Sequence, residues 1–328
     1  MSYILRKLGF YAVAAWVAIT VNFVLPRLIP GDPVQIILAR QAQLGPVSPG
    51  QEEALATMLG LGDGNLLSQY VQYLGSLLRL DFGLSVTFYP TPVSSVLGDA
   101  VPWTVVLVGA ATLISVALGI TLGTLAGWRR GSWLDSLVPS TTFLAAIPYF
   151  WIALLLLYLF AQVWPVLPLG GGYDESAHEM GWNPGFVGSA LEHAVLPAAT
   201  IVVSSVGGWM LGMRNMMVST LSEDYVTAAE AKGLRSRTVM IGYAARNAVL
   251  PSVAGFAITL GFIVSGSLLM EIVFSYPGMG FTLLQAVENN DYPLMQAIFL
   301  MITFTVLAAN FLVDLLYGFV DPRTRQAR

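Results

Sequence analysis

The stretch EDYVTAAEAKGLRSR, Glu223 to Arg237, gathers three acids and three bases in a chain whose charged residues make up only 10% of the whole. Other groups able to do chemistry are sparse. Arg214, Asp314 and Glu271 stand in or beside long apolar runs, His178 and His193 are the only histidines, and cysteine is absent. Without cysteine there is neither a disulfide framework nor a thiolate metal site. The two histidines fall in or near a polar loop and read as solvated side chains, so no metal site is assigned. A GxxxxGK[ST] loop, an HExxH pair, a GxSxG elbow and a kinase-type constellation are all missing. No catalytic residue is therefore assigned, and the chain is not expected to hydrolyse ATP by itself. The charges that remain suit positioning and partner contact rather than bond-making.

The elements that must position them are set by composition. Of 328 residues, 56% are hydrophobic and 11% aromatic, and the mean hydropathy of +0.71 lies outside the soluble globular range. This predicts an all-α integral membrane protein. A hydrocarbon core takes about 20 apolar residues per helix, and six runs meet that length: near Leu8 to Leu25, Val101 to Trp128, Leu134 to Val163, Ala194 to Leu221, Pro251 to Ile272 and Leu294 to Phe319. The first follows Arg6 and Lys7 and has two readings, a signal peptide or an uncleaved anchor; the run into Pro26 and Arg27 without a small-x-small site favours the anchor. The organisation expected is an N-terminus and first span over 1–29, a cap of short helices over 30–100, a five-helix core over 101–320 and a tail over 321–328. Within the cap, EEALATMLGLG and LLSQYVQYLGSLLRL carry apolar residues at helical spacing, whereas Gly170 to Glu192 reads as a loop.

Lys and Arg placement orients the chain. With the N-terminus in the cytoplasm, the inside collects Arg6, Lys7, Arg129, Arg130, Lys232, Arg235, Arg237, Arg246, Arg323, Arg325 and Arg328. The outside keeps Arg27, Arg40 and Arg79, together with acids such as Asp81, Asp99, Asp174, Glu288 and Asp291. Both termini are then cytoplasmic and the cap lies outside. The net charge of −4 offers no basic excess for nucleic acid.

Arg214 and Asp314 lie at similar depth from the cytoplasmic ends of the fourth and sixth runs. They are expected to form a structural ion pair; the alternative is that each snorkels independently to the interface. At the outer end of the fifth run, Glu271 is a candidate for the mouth of a path that Ser265 and Ser267 could line, although serine in a span more often serves packing. Tyr276-Pro277-Gly278 reads as a turn shaping an outer gate.

Glu223 to Arg237 then falls on the cytoplasmic side, in a loop spanning 222–250. Ser222 is a candidate helix cap with Glu223 and Asp224 in the first turn, and Gly233 a candidate left-handed helix stop. A second helical pattern follows from Thr238 to Val249. The small Ala228, Ala229 and Ala231 would let the first helix approach another protein closely, anchored by Tyr225 and Leu234 and rimmed by Lys232, Arg235 and Arg237. The bland reading is a loop helix lying on the membrane surface.

The stretch EDYVTAAEAKGL resembles the EAA motif of the membrane subunits of bacterial ABC importers. Nearly the whole chain is similar to the permeases of the dipeptide, oligopeptide and nickel branch, through IPGDP (29–33), DFGLS (81–85), TPV (91–93), RRGSWLD (129–135), RNAVLP (246–251), EIVFSYPGMG (271–280) and NFLVDLLYGFVDPRTR (310–325). Thr227 stands where the broader motif begins with Glu. The resemblance implies the type I ABC importer permease fold and a coupling helix in which Glu223, Asp224, Tyr225, Ala228, Ala229, Lys232, Gly233 and Leu234 meet a cytoplasmic ATPase. It further implies a second homologous permease subunit, one or two ATPase subunits that carry ATP and Mg, and an external substrate-binding protein. This chain would bind no cofactor. Peptides are the cargo implied first, with oligosaccharide, nickel, haem or glutathione as alternatives inside the family. An ion-coupled carrier or channel is the alternative outside it.

Overall fold

A computed structural model describes residues 2–24, 28, 38, 65–261 and 268–320. The described chain is helical: α1 Ser2–Val24, α2 Leu66–Leu78, α3 Val93–Trp128, α4 Trp133–Ala146, α5 Tyr149–Leu157 with a wide π turn at Tyr158–Val163, α6 Pro184–Thr220 and α7 Asp224–Ala231. Next comes α8, formed by Ser236–Thr238, a π run Val239–Ala245 and Arg246–Ala248. It is followed by α9 Leu250–Gly261, α10 Leu268–Val273, α11 Met279–Glu288 and α12 Tyr292–Val320. Among the described residues four stretches are long and apolar enough to cross a membrane: Arg6–Val24, Val93–Trp128, Pro184–Thr220 and Tyr292–Phe311.

Two of the expected runs differ in form. Leu134 to Val163 is not one helix, because Ile147 (φ −77°, ψ 129°) and Pro148 (φ −53°, ψ 125°) are extended between α4 and α5. Proline brings no N–H to the ladder and its ring disfavours helix at the residue before it. The run Pro251 to Ile272 is helical in α9 and α10, and residues 262–267 between them lie outside the described set, as do Ser265 and Ser267. Pro251 sits in the first turn of α9, where a missing N–H costs nothing.

Other boundaries move outward. The expected loop Gly170 to Glu192 is helical from Pro184, since Asn183 accepts the Phe186 N–H at 2.8 Å and Pro184 follows at the first helical position. His193 therefore lies within α6, its Nδ1 2.8 Å from the Ser189 carbonyl oxygen. Of the two helical patterns in the cap, LLSQYVQYLGSLLRL forms α2; EEALATMLGLG lies outside the described residues.

The chain divides into two compact units. One comprises Met1–Thr104, Val264–Leu268 and Pro277–Arg328, the other Val105–Ile263 and Leu269–Tyr276. In the first, α1 runs along α12, with Tyr11 edge-on to Phe311 and the Asn22 amide donating to the Gln296 carbonyl at 2.7 Å. Tyr70 and Tyr73 of α2 pack on Phe23. Val93, Leu97 and Ala100 of α3, Met279 and Leu283 of α11, and Leu294, Met295 and Ile298 of α12 make its core.

Asp291, counted above among outer-face charges, is fully buried in this unit. One carboxylate oxygen takes the Leu294 N–H at 3.1 Å, capping α12, and the other takes the Ser85 hydroxyl and the Thr87 N–H. Three hydrogen-bond donors and the positive end of the helix thus surround the carboxyl group.

In the second unit α3 and α6 are joined along a glycine stripe. A Cβ on Gly123 would fall 2.5 Å from the Met210 carbonyl oxygen and one on Gly127 2.5 Å from Met217 Cβ; one on Gly119 would strike Trp209. Spacing of four residues puts all three on one face, which lets the two backbones touch.

Candidate functional site

The polar stretch is built on the end of α6. Ser222 does not cap the next helix: its hydroxyl donates back to the Ser219 carbonyl at 2.7 Å, closing α6, and Glu223 takes the cap position of α7 without a side-chain bond. The eight residues of α7 form on a seat that α6 supplies. Val226 and Ala229 are buried against Met213 and Met217 of α6 and Val239, Ala244 and Ala248 of α8.

Gly233 stops the helix as the sequence suggests. Its φ of +72° is left-handed, its N–H donates to Glu230 O at 2.8 Å, and Leu234 N–H reaches Ala229 O at 3.4 Å. This paired closure is the Schellman arrangement. A side chain there would meet nothing within 4 Å, so the requirement for glycine is conformational rather than steric.

The two faces of α7 separate cleanly. Ala229 turns inward, so it serves the seat rather than an outer contact. Asp224, Tyr225, Thr227, Ala228, Glu230, Ala231 and Lys232 face out, as do Glu223, Gly233 and Leu234 at its ends. Tyr225 is 40% and Leu234 37% exposed, which leaves part of each ring or side chain free for another surface. The outer face therefore offers small residues flanked by an aromatic ring, a leucine and charges of both signs.

The support from α8 departs from α-helical spacing. Val239 and Ala244, five apart, both point into the seat, because Val239–Ala245 is wound as a π run with i→i+5 bonding. Tyr243, next to Ala244 in sequence, is exposed.

Beside this seat lies the turn between α3 and α4. Arg214 Nε donates to Asp135 Oδ1 at 2.8 Å, and Asp135 Oδ2 accepts the Gly131 N–H at 2.9 Å. Arg130 Nη2 donates to the Val218 carbonyl at 2.6 Å. Arg214 thus takes its partner from α4. Asp314, expected opposite it, lies in the part of α12 whose side chains are outside the described residues. Asp135 lies at the head of the run Leu134 to Val163, within the RRGSWLD stretch, with no spacing that ties it to Arg214, and the stripe Gly119, Gly123, Gly127 is legible only as small residues every fourth position; both are additions of the structure.

Two of the outer candidates are enclosed, and Pro277 is half-buried. Glu271 is fully buried and Tyr276 is 2% exposed, so within this chain neither opens to a mouth. Tyr276 N–H donates to Glu271 O at 2.8 Å, around Ser275 at φ +47°. Gly171 N–H donates to the Phe274 carbonyl at 2.9 Å, and a Cβ on Gly170 would fall 2.5 Å from that oxygen. The turn expected at Tyr276-Pro277 is thus anchored from the loop after α5. In that loop Asp174 accepts bonds from the Ser176 N–H at 2.9 Å and the Ser176 hydroxyl at 2.6 Å, which hold its carboxyl below the usual range.

The family model of binding-protein-dependent transport system inner membrane components matches residues 119–326. The dipeptide transport system permease protein DppB of Escherichia coli (strain K12) is 32% identical over 345 aligned positions, covering 100% of both chains. The di/tripeptide transport system permease protein DppB of Pseudomonas aeruginosa (strain UCBPP-PA14) is 32% identical over 342, again covering 100% of both. The probable D,D-dipeptide transport system permease protein DdpB of Escherichia coli (strain K12) is 32% identical over 332, covering 97% of this chain and 95% of its own.

Proposed function

Because the chain belongs to the family of binding-protein-dependent transport system inner membrane components, we propose that it is the membrane-spanning permease subunit of an ATP-driven importer of short peptides. It forms half of the translocation path and performs no catalysis itself. Relatives named for dipeptide and di/tripeptide transport, similar along the full chain, support that cargo. Six spans with both termini in the cytoplasm fit the Lys and Arg asymmetry. On this reading a second permease completes the path, an external binding protein delivers the peptide, and cytoplasmic ATPases supply ATP hydrolysis.

The observation that carries the reading is the two-sided α7. Val226 and Ala229 fasten it to the end of α6, while Tyr225, Ala228, Ala231 and Lys232 remain free for a soluble partner. When the ATPases close around nucleotide, a helix held this way moves as a body with the span it continues. The membrane helices then exchange inward for outward access, a rigid transition between two states biased by the nucleotide. A flexible tether would dissipate the same displacement.

The test is uptake of a labelled dipeptide into proteoliposomes holding the complete transporter. Uptake is expected only with ATP, binding protein and ATPases together, and Gly233→Trp is expected to abolish it while the chain still inserts. Uptake by this chain alone, without ATP, would overturn the assignment.

A further inference from the structure

Resting on the permease reading above, we propose that the turn between α3 and α4 is a clasp through which motion of α7 reaches the membrane helices, with Arg130 and Asp135 as positioning residues that keep the end of α6 rigid under load. Only Leu221, Ser222 and Glu223 separate α6 from α7. A pull on α7 therefore arrives first at the last turn of α6, where a helix leaves four carbonyls without intrahelical partners. A turn whose carbonyls were left to water would fray.

Val218, Ser219 and Thr220 among them have a partner, and Met217 O just before them keeps the last regular i→i+4 bond. Leu221 N–H serves Met217 O at 3.0 Å, Ser222 N–H serves Ser219 O at 3.2 Å and Glu223 N–H serves Thr220 O at 3.1 Å. Those three bonds are local. Val218 O is served by Arg130 Nη2 from the turn after α3, at 2.6 Å, and a cation at this place also suits the negative end of the helix.

Four residues earlier, one helical turn away, Arg214 is gripped by Asp135. Asp135 is itself aimed by the Gly131 N–H on its second oxygen, a bond made possible by the left-handed Gly131 at φ +75°. The turn thus holds α6 at two points on successive turns. A Cβ on Gly127 would fall 2.9 Å from the Arg214 carbonyl oxygen, so α3 touches the α6 backbone at the same level. Met213 and Met217, on that stretch of α6, form the seat of α7. The end of α3, the start of α4, the end of α6 and α7 are joined as one block.

Retention of this turn in the cytoplasm needs only positive charge. Donation to Val218 needs a side chain of this reach and geometry, which separates the two roles. The experiment measures labelled dipeptide imported per ATP hydrolysed, in proteoliposomes of the complete transporter. In Arg130→Gln and in Asp135→Ala the ratio is expected to fall by about fivefold or more, the lower end of coupling factors between linked sites. Arg130→Lys, which keeps the charge that insertion needs, is expected to fall between Gln and wild type. The double variant Asp135→Ala/Arg214→Ala should be no worse than the more severe single change, because both dismantle one joint.

A wild-type ratio in assembled Arg130→Lys and Asp135→Asn, with losses only in the amount of complex, overturns the proposal even if the harsher variants do not assemble. A wild-type transporter that shows no ATP-dependent uptake fails the permease reading instead, so the two failures are distinguishable.

Discussion

The hydroxyl of Ser85 donates to the carboxylate of Asp291, across 206 positions of sequence, and both side chains are fully buried. The bond fastens the stretch before α3 to the first turn of α12 within one unit. Its acceptor also caps that helix through Leu294.

Removing that acceptor strands buried donors. Asp291→Ala is expected to lower stability by on the order of 3 kcal/mol, since hydrogen bonds to a charged group and a helix cap are lost together. Asp291→Asn retains an acceptor oxygen and should lose about half as much. Thermal unfolding in detergent, followed by loss of monodisperse protein, gives the comparison. Equal stability of all three would show that the carboxylate does not hold this joint.

Glycines of α3 separate into two kinds. A Cβ on Gly123 meets backbone at 2.5 Å, whereas one on Gly109 meets nothing within 4 Å. Gly123→Ala is therefore expected to cost roughly 1–3 kcal/mol through forced separation of α3 and α6, and Gly109→Ala close to nothing. Melting temperatures of the two variants test the contrast, which a uniform effect of alanine would contradict.

The faces of α7 are open to chemical labelling because the chain has no cysteine of its own. Ala228→Cys should react readily with a membrane-impermeant maleimide applied to the cytoplasmic side, and Ala229→Cys, at 2% exposure, slowly. Adding the partner ATPases should protect Ala228→Cys. Labelling of Ala228→Cys that is indifferent to the ATPases would place their contact elsewhere.

The loop after α5 carries a pH dependence with a definite sign. Ser176 hydrogen bonds depress the Asp174 carboxyl below its ordinary value of 3.8. The folded value is below the unfolded one, so the loop's added order is fully present above pH 3.8 and is lost as pH falls through the depressed value. Amide hydrogen exchange at Ser176 and Ala177, relative to Asp174→Asn, should show protection that is constant from about pH 8 to 5 and disappears in stronger acid. Protection that changes near neutral pH would point to another group.

How far these features were legible depends on the physics behind each. Gly233 was readable because a left-handed helix stop restricts residue type strongly. The four long apolar helices were readable because hydrophobic length is a property of the run alone. Pro148 interrupts a run that is apolar on both sides, and hydropathy averages across it. Burial of Asp291 left no local trace: a carboxylate satisfied by Ser85 and Thr87 looks, in sequence, like any solvated loop acid. Depth along the helices suggested Asp314 for Arg214 and gave no sign of Asp135, because linear position says nothing about which turn folds beside α6. Asp135 reaches Arg214 through the left-handed Gly131, a geometry that only the assembled turn reveals.

The π run in α8 makes the length of this loop a phase setting. Winding the same residues of Val239–Ala245 on the ordinary i→i+4 ladder would rotate everything before them by about 100° relative to Arg246–Ala248. Val239 would swing out of the pocket beneath α7 while Ala248 stayed in. A sequence one residue shorter between Gly233 and Pro251 would keep Val239 and Ala244 on one face only by giving up the π winding, since residues four apart share a face on the regular ladder. In this loop, then, spacing is as much a determinant of fit as residue identity.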